Sequence, residues 1–412
     1  MIQITDKSKC CGCSACVTSC PAGCIDFNED EQGFNYPIVD NGRCINCGLC
    51  EKVCPCLNQG KPLPPKKVYA AINPAENKRL NSSSGGIFTI IAEWVLGNNG
   101  IVFGVRFDRN WNVIHDYTES VDDIDKFRRS KYVQSYIGET FRQVRKFLNA
   151  GRLVLFSGTS CQIAGLKRFL NKEYENLLLI DVVCHGVPSP KIWREYLKYI
   201  IRPKGVDGKN SVLSFPNDMS LIKDISFRNK KEGWKKFGFE LRMAAPKAAQ
   251  NSVLNSVKKL DEEDVVFFQT VNENLYLQGF INNLYLRPSC FACPSKSGKC
   301  NSDFSLADFW AIDRFAPSLN DDKGVTLLYV NSQKGESLLG NLNLHLVELD
   351  KTRELNFAYS HSARVKYPVD EFWEQYSRKG IEVIFEICEK MQPNSFQVFL
   401  DRAKRFLKRK LR

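Results

Sequence analysis

Short apolar runs alternate with segments of helical periodicity through the middle of the chain. Residues 153 to 156 are apolar and lead into Ser157-Gly158-Thr159, which predicts a buried strand that ends in a tight turn. Residues 162 to 173 then carry apolar side chains at helical spacing. A second strand over 177 to 183 ends at Cys184-His185-Gly186, and a second helix is predicted over 191 to 201. Because such crossovers join neighbouring parallel strands, Cys161 and Cys184 are predicted neighbours at the carboxyl edge of a sheet.

The same patterns predict the elements on either side of this unit. A β-hairpin is predicted over residues 224 to 243, around a polar turn at 229 to 233. The other predicted strands cover 68 to 72, 100 to 107, 303 to 309, 324 to 330 and 345 to 349. The other predicted helices are one that ends at Leu96 and those over 139 to 149, 272 to 286 and 335 to 342. This mixture predicts a combined α/β and α+β architecture.

Composition narrows the class of protein. The chain has 412 residues, of which 43% are hydrophobic and 25% charged, as in globular proteins with two or three domains. It has no apolar run of the roughly 18 to 20 residues that cross a bilayer. The first residues lack the apolar core of a signal peptide, so we expect a cytoplasmic protein. Seventeen cysteines in a reducing compartment favour metal ligation over disulfides.

The net charge of +12 is concentrated at the carboxyl end. Residues 394 to 412 carry seven basic side chains and one acidic one on a helical pattern with an apolar stripe. Such a helix can contact the inner membrane face peripherally, or it can dock on protein with its charged side in solvent. No nucleic-acid module or basic and aromatic interleaving is present, so nucleic acid is not an expected partner.

Two cysteine motifs dominate the amino-terminal region. They read Cys10-x2-Cys13-x2-Cys16-x3-Cys20-Pro21 and Cys44-x2-Cys47-x2-Cys50-x3-Cys54-Pro55. In this spacing three cysteines wrap one 4Fe-4S cluster, and the fourth reaches the other cluster of the pair. We therefore expect one cluster on Cys10, Cys13, Cys16 and Cys54, and another on Cys44, Cys47, Cys50 and Cys20. Zinc sites and a disulfide knot are the alternatives, and Cys11, Cys24 and Cys56 are expected to be packing residues.

The composition also predicts domain boundaries. A connector at 58 to 67 is rich in proline and lysine, so it should be extended and semi-rigid. It follows a ferredoxin-like domain at 1 to 57. The rest divides into a first part at 68 to 150, a second part at 151 to 350, and a helical extension with the basic tail at 351 to 412.

Two further motifs indicate cofactor chemistry. The Ser-Ser-Ser-Gly-Gly run at 82 to 86 precedes a helix, where free backbone N–H groups suit a phosphate, although an ordinary capped helix has the same pattern. Cys290-x2-Cys293 adds two soft ligands to Cys161 and Cys184, which makes the four that a third cluster requires. Spacing alone also allows these four to be ordinary buried residues, and Cys300 competes for the fourth position.

Six motifs in order resemble the coenzyme F420 hydrogenase/dehydrogenase beta-subunit family over about residues 68 to 335. They are Ser82-Ser-Ser-Gly-Gly86, Lys131-Tyr-Val-Gln-Ser135, Ser157-Gly-Thr-Ser-Cys-Gln-Ile-Ala-Gly165, Cys184-His-Gly-Val-Pro-Ser-Pro190, Leu286-Arg-Pro-Ser-Cys290 and Leu306-Ala-Asp-Phe-Trp310. The resemblance implies an FAD-binding α/β module with a third 4Fe-4S cluster on Cys161, Cys184, Cys290 and Cys293. It also implies that the flavin is approached by Ser83, Ser84, Gly85, Gly86, Lys131, Gly158 and Thr159.

Together these features predict an iron-sulfur flavoprotein oxidoreductase. We expect electrons to pass from the ferredoxin-type clusters through the third cluster to FAD, and on to an organic substrate or to coenzyme F420. His185 is a candidate proton donor, or a histidine bonded to its own loop. The expected partners are a redox protein or reduced ferredoxin and a small-molecule electron acceptor or donor. The alternative function is an electron-transfer subunit without a substrate site of its own.

Overall fold

The computed structural model describes residues 1–202, 218–244, 257–261 and 264–391. The basic helix predicted at 394 to 412 lies outside these residues. Within the described ranges, none of the helices combines the length and the apolar character that a membrane span needs.

The amino-terminal domain consists of short helices and one hairpin. Strands β1 and β2 pair antiparallel, with Ile25 opposite Val39. The bounds are α1 (Ala15–Ser19), β1 (Ile25–Glu29), β2 (Asn35–Val39) and α2 (Leu49–Lys52). With so little regular structure, this domain depends on its cysteine turns and on its contacts with the rest of the chain.

A mixed sheet forms the centre of the described chain. Its strands are β3 (Lys67–Ile72), β4 (Ile101–Phe107), β5 (Val113–Thr118), β6 (Val154–Thr159), β7 (Leu177–Val182), β12 (Phe304–Asp308), β13 (Thr326–Val330) and β14 (His345–Leu349). Their order is β14-β3-β13-β12-β7-β6-β4-β5. The neighbours β12, β7, β6 and β4 are parallel, whereas the outer pairs are antiparallel. The predicted α/β and α+β architecture is confirmed.

The apolar runs form central strands because both faces of the sheet are covered. Phe156 packs towards α5 (Thr140–Asn149) and α6 (Ser160–Leu170) on one face. Its neighbour Leu155 packs towards α4 (Ile87–Gly97) on the other. Successive side chains of a strand point to opposite faces, so a strand buried on both sides must be apolar throughout.

A second, antiparallel sheet packs against α7 (Pro190–Ile201) around the buried Trp193. Its order is β10-β11-β9-β8, from β8 (Ile222–Asn229), β9 (Gly238–Ala244), β10 (Val257–Asp261) and β11 (Asp264–Thr270). The β8–β9 pair is the predicted hairpin. The remaining helices are α3 (Glu76–Leu80), α8 (Leu275–Ile281), α9 (Ile312–Phe315), α10 (Gln333–Leu339), α11 (Phe357–Ser360), α12 (Val369–Lys379) and α13 (Val383–Lys390).

The helix predicted over 272 to 286 is wrong in length. Asn274 caps its start by accepting a hydrogen bond from the N–H of Leu277, and α8 ends at Ile281. Asn283 then adopts a left-handed backbone with φ of 63°, which an α-helix cannot continue through. The segment that follows is therefore a loop, and it brings Arg287 and Cys290 back towards the central sheet.

Candidate redox site

The two amino-terminal cysteine motifs fold into turns of the same shape. In each motif the second and the fourth residue after the first cysteine have left-handed backbones: Gly12 and Ser14 in one, Asn46 and Gly48 in the other. Such residues reverse the chain locally, so the three thiols of each turn can face one centre.

The thiols of these motifs fall into two neighbouring groups. Cys10, Cys13 and Cys16 interact electrostatically with one another, and Cys54 interacts with Cys13. The thiols that line one small cavity are Cys20, Cys44, Cys47 and Cys50. All seventeen cysteines are free thiols. Cys16 also interacts with Cys50 of the second group, and the division of these thiols into two ligand sets stays a prediction.

In the described part of the chain, no three side chains of His, Cys, Asp or Glu converge closely enough to hold one ion. A four-iron cluster keeps its thiolates farther apart than one ion does, because each thiolate binds a different corner.

Four more cysteines gather at the carboxyl edge of the central sheet. Cys161 lies in the first turn of α6, Cys184 follows β7, and Cys290 and Cys293 lie in a short 3-10 segment and just after it. Cys184, Cys290 and Cys293 each interact electrostatically with Cys161 and with one another. The predicted proximity of Cys161 and Cys184 is therefore present in the structure.

Cys300 does not share this environment. Burial is the main cause that raises the pKa of its thiol, and the charge of Asp181 raises it further, while hydrogen bonds with Ser302 lower it. Cys293 therefore lies with the other three thiols and Cys300 lies apart, and the role of Cys293 as the fourth ligand stays a prediction.

Burial makes these thiols unfavourable as free anions. It raises the pKa of Cys184 to about 12, against the opposing charge of Lys296. A hydrogen bond from Cys11 lowers the pKa of Cys161 to about 7. Buried thiolates need a compensating positive group, and iron supplies one, so the donor set fits a cluster.

A buried polar network supports the Cys161 turn. Gln162 accepts from the N–H of Thr159 at 2.9 Å and donates to Ser135 Oγ at 2.9 Å. Ser135 Oγ lies 3.0 Å from Nδ1 of His115, whose Nε2 lies 3.2 Å from the carbonyl of Ser157. The carbonyl can only accept, so Nε2 carries the proton and neutral His115 accepts from Ser135. Burial lowers the pKa of His115 to about 4.

His115 is a residue that sequence reasoning missed. It lies on β5, far from Cys161 in the chain, and it stacks on Phe156 at 5.3 Å between ring centroids. The signal that could have found it was Ser135, at the end of the 131 to 135 motif, because a buried serine hydroxyl needs a polar partner.

Arg287 connects the third cysteine group to the amino-terminal domain. Its side chain is fully buried, and its Nε donates to the carbonyl of Cys10 at 2.7 Å. Another guanidinium nitrogen donates to Gln134 Oε1 at 2.9 Å, and the group lies 4.3 Å from the ring centroid of Tyr36. The charge therefore lies beside the first cysteine of the first motif.

The extra cysteines lie between the first and third groups. Cys11 interacts with Cys13, Cys56 and Cys161. Helix α6 also approaches closely, because a Cβ added at Gly165 would lie 3.0 Å from Cys13 Sγ. The side chain of Cys11 therefore lies between the first and the third cysteine group and connects them.

The loop predicted to approach a flavin is tightly built. Ser83 Oγ accepts from the N–H of Ser130 at 2.7 Å, and Ser84 Oγ donates to the carbonyl of Val325 at 2.8 Å. A Cβ on Gly85 would lie 2.3 Å from the carbonyl oxygen of Ala71. Gly86, with φ of 82°, precedes α4 without a side-chain cap, which leaves the first N–H groups of the helix for an anion.

Lys131 and the Gly158-Thr159 turn have partners within the chain. The Lys131 ammonium donates to the carbonyls of Lys126 and Arg128 at 2.9 and 2.6 Å, and burial lowers its pKa to about 7. Gly158 packs against Gln162 and His115. Neither of two cavities, of about 660 and 280 Å³, is lined by any of the predicted flavin residues.

An aromatic and cationic cluster adjoins the Ser83 loop. Arg228 is buried, donates to Asp308 Oδ2 at 2.6 Å, and approaches the carbonyl of Ser83 at 3.4 Å. Trp234 donates to the other oxygen of Asp308 at 3.1 Å and stacks on Trp310 at 4.8 Å. Trp310 is 47% exposed, which offers a flat aromatic surface at this edge.

His185 lies beside Cys184 with an exposed ring. Its Nε2 bonds to Asn283 Oδ1, and the ring meets Phe280 edge to face at 5.3 Å. Asn283 fixes the ring orientation, so His185 is held by a neighbouring loop and its role in proton transfer stays a prediction.

A search of curated proteins found no match. A solved structure of the F420-reducing [NiFe] hydrogenase complex from Methanosarcina barkeri aligns with 77% of this chain and 92% of its own, at 12% identity and a TM-score of 0.42.

Two family profiles match separate regions, and both agree with the resemblance found in the sequence. One is the 4Fe-4S dicluster domain, over residues 9–58. The other is the C terminus of the coenzyme F420 hydrogenase/dehydrogenase beta subunit, over residues 151–354. Over these residues the chain is therefore similar to a 4Fe-4S dicluster domain and to the C terminus of the coenzyme F420 hydrogenase/dehydrogenase beta subunit.

Proposed function

We propose that this protein is an iron-sulfur flavoprotein oxidoreductase with three 4Fe-4S clusters and one FAD. The observation that carries the proposal is the gathering of Cys161, Cys184, Cys290 and Cys293 beside the amino-terminal cysteine turns. Clusters transfer single electrons, and a flavin exchanges one or two with an organic acceptor such as coenzyme F420.

Each ligand set has its own supporting observation. The first two sets are supported by the matched left-handed turns at Gly12, Ser14, Asn46 and Gly48. The third set is supported by burial of the thiols and by the buried network that holds the Cys161 turn. The Cys11 contact and Arg287 connect the third set to the first.

Support for the flavin is of a different kind. The beta-subunit family supports it, and so do the uncapped start of α4 and the Arg228–Trp310 cluster beside the Ser83 loop. Ser83, Ser84, Gly85 and Gly86 would hold the phosphate part, and an exposed Trp310 suits a planar ring. Lys131 would order the loop through its carbonyl contacts, while Gly158 and Thr159 would support Cys161 beneath it.

Anaerobic purification with iron, sulfide and flavin analysis tests the proposal. We expect about twelve irons and one flavin per chain. A colourless protein that contains zinc would overturn it.

A second candidate function is an electron-transfer subunit that passes electrons to another polypeptide. The predicted flavin residues do not line either large cavity, which favours a partner that completes the substrate site. Chemically reduced protein is mixed with candidate acceptors, including F420. If none oxidises it until a second polypeptide is added, the electron-transfer role is correct and the independent reductase is not.

A further inference from the structure

One cavity lies between the amino-terminal domain and the central sheet, and it is strongly basic. It has a volume of about 660 Å³ and is lined by residues from α1, α2, α5 and α6 and from residues 299 to 301. Six lining side chains are cationic and none is a carboxylate. The cations of this basic cleft are Lys52, Arg142, Arg145, Lys167, Arg168 and Lys299.

Four of these six cations have no carboxylate partner within the described residues, and one of the four, Lys299, donates to Gln59 Oε1 at 3.0 Å. Arg142 pairs with Glu139 at 2.7 Å and Lys167 with Glu173 at 3.2 Å. By contrast, Lys52 and Arg168 make no ion pair in the part of the chain that the structure describes. Arg145 likewise makes none there and lies over the ring of Phe169 at 4.5 Å. Unpaired like charges repel one another, so the cleft is suited to an anionic partner.

The cleft also reaches a proposed cluster ligand. Cys20 and Pro21 line it, and Cys20 lines the small cavity shared by Cys44, Cys47 and Cys50 as well. A partner seated in the basic cleft would therefore approach the second amino-terminal cluster from its Cys20 side. A position beside a cluster ligand suits a partner that exchanges electrons. A small anion bound there would have no such function.

Several acidic residues of the amino-terminal domain are paired within the chain and are not free to serve as the contact. Glu29 pairs with Arg194 of α7 at 2.5 Å, and Lys7 pairs with both Asp30 and Glu31 at 2.7 Å. Much of the negative charge of this domain is thus used within the chain. By contrast, the side chains without an ion-pair partner that share the cleft with Cys20 are positively charged.

We propose that the basic cleft is the docking site of a small acidic one-electron carrier protein, which exchanges electrons with the cluster that includes Cys20. This rests on the proposed iron-sulfur function. In the entry direction, one electron leaves the reduced cofactor of the carrier and enters the oxidised cluster, and no bond forms or breaks. Charge complementarity accelerates such encounters, and salt screens them.

The test uses the full-length holoprotein and reduced acidic flavodoxin as the probe. The rate constant of cluster reduction is measured by stopped-flow absorbance, and binding of oxidised flavodoxin is measured by calorimetry. The test variant is Arg145→Gln with Arg168→Gln. The matched control is Lys146→Gln with Lys172→Gln, which removes the same charge from exposed positions of the neighbouring surface that do not line the cleft.

At about 10 mM salt we expect the test variant to lower the rate constant and the affinity about tenfold, and the control to change them less than about twofold. In the test variant, the rate constant should also depend much less on the salt concentration than it does in the native protein. Equal losses in both variants, or no loss in either, would overturn the proposal. So would saturable binding of inorganic pyrophosphate that the test variant abolishes while the flavodoxin rate stays unchanged.

Failure of the proposed function is recognised separately. The second-order rate constant reports the first electron that enters the protein from the carrier, so the variants can be compared whether or not a flavin or a third cluster is present. Reduction by photoreduced 5-deazariboflavin, which is uncharged, should be the same in every variant and shows that the clusters are intact.

Discussion

The guanidinium of Arg287 donates a hydrogen bond to the carbonyl of Cys10 across 2.7 Å, in a position with no exposure to solvent. The same side chain donates to the carbonyl of Asn35 at 3.0 Å and lies 3.5 Å from the Cys10 thiol. One residue of the loop that carries Cys290 thus holds two segments of the amino-terminal domain.

Replacing Arg287 with Gln should loosen the amino-terminal domain. The change leaves buried carbonyls without a donor, which costs on the order of 2 kcal/mol or more in the free energy of unfolding. It also removes a positive charge beside the first cluster, so the reduction potential of that cluster should fall. Denaturant unfolding and a potentiometric titration under argon measure the two effects.

Arg314→Gln is the control for this prediction, because Arg314 is exposed. We expect a change within about 0.5 kcal/mol and an unaltered potential. If both variants unfold alike, the contact with Cys10 does not hold the domain.

Gly85→Ala should disrupt the Ser83 loop. The new Cβ would lie 2.3 Å from the carbonyl oxygen of Ala71 and 2.7 Å from the backbone nitrogen of Thr326, and neither can move without breaking the sheet. We expect a loss of about 1 to 3 kcal/mol in the free energy of unfolding, and loss of bound flavin if the loop holds it. Thermal unfolding and flavin content report the two outcomes.

The matched control is Gly97→Ala at the end of α4, where a Cβ meets nothing within 4 Å. Alanine there should stabilise the protein by about 0.5 to 1 kcal/mol. A Gly85→Ala protein as stable as this control would contradict the packing argument.

Stability should fall on acidification through His115. Burial lowers the pKa of His115 to about 4 in the folded state, whereas an unfolded histidine titrates near 6.5. The unfolded state therefore takes up a proton first as the pH falls. The contribution of neutral His115 to the free energy of unfolding is complete above about pH 6.5. It is lost as the pH falls towards 4, by about 1.4 kcal/mol per pH unit.

Relative to His115→Gln, the native protein should lose about 2 kcal/mol more between pH 7 and 5. Anaerobic denaturant unfolding at several pH values measures the difference. His345→Gln, at an exposed position on β14, should follow the native curve. Parallel curves for native protein and His115→Gln would exclude His115 as the titrating group.

Serine substitution of any of Cys161, Cys184, Cys290 or Cys293 should remove about four of twelve irons. The reason is that a cube with three thiolates is less firmly held than one with four. Cys300→Ala should keep all twelve, since Cys300 lies beside Asp181 and Ser302. Iron analysis and electron paramagnetic resonance measure the cluster content of each variant. If Cys300→Ala lost four irons and the Cys293 variant kept all twelve, Cys300 would be the fourth ligand in place of Cys293.

The local pattern of the sequence was sufficient to predict many elements of this protein. The Cys-x2-Cys-x2-Cys turns, the apolar runs of β6 and β7 and the hairpin from β8 to β9 follow from side chains close together in the chain. A strand buried on both faces must be apolar, and a parallel crossover must return to the same edge. These two rules are enough to predict that Cys161 and Cys184 lie together.

Only the tertiary structure decided which distant residues share a site. His115 is joined to Gln162 through Ser135, and Arg287 donates to Cys10. Arg145 and Lys52 line one cleft, although they belong to elements far apart in the sequence. Their partners depend on how helices and domains pack, and periodicity within one element carries no information about that packing. Spacing indicated the chemistry of each cysteine turn, whereas packing determined which charges and hydrogen bonds surround it.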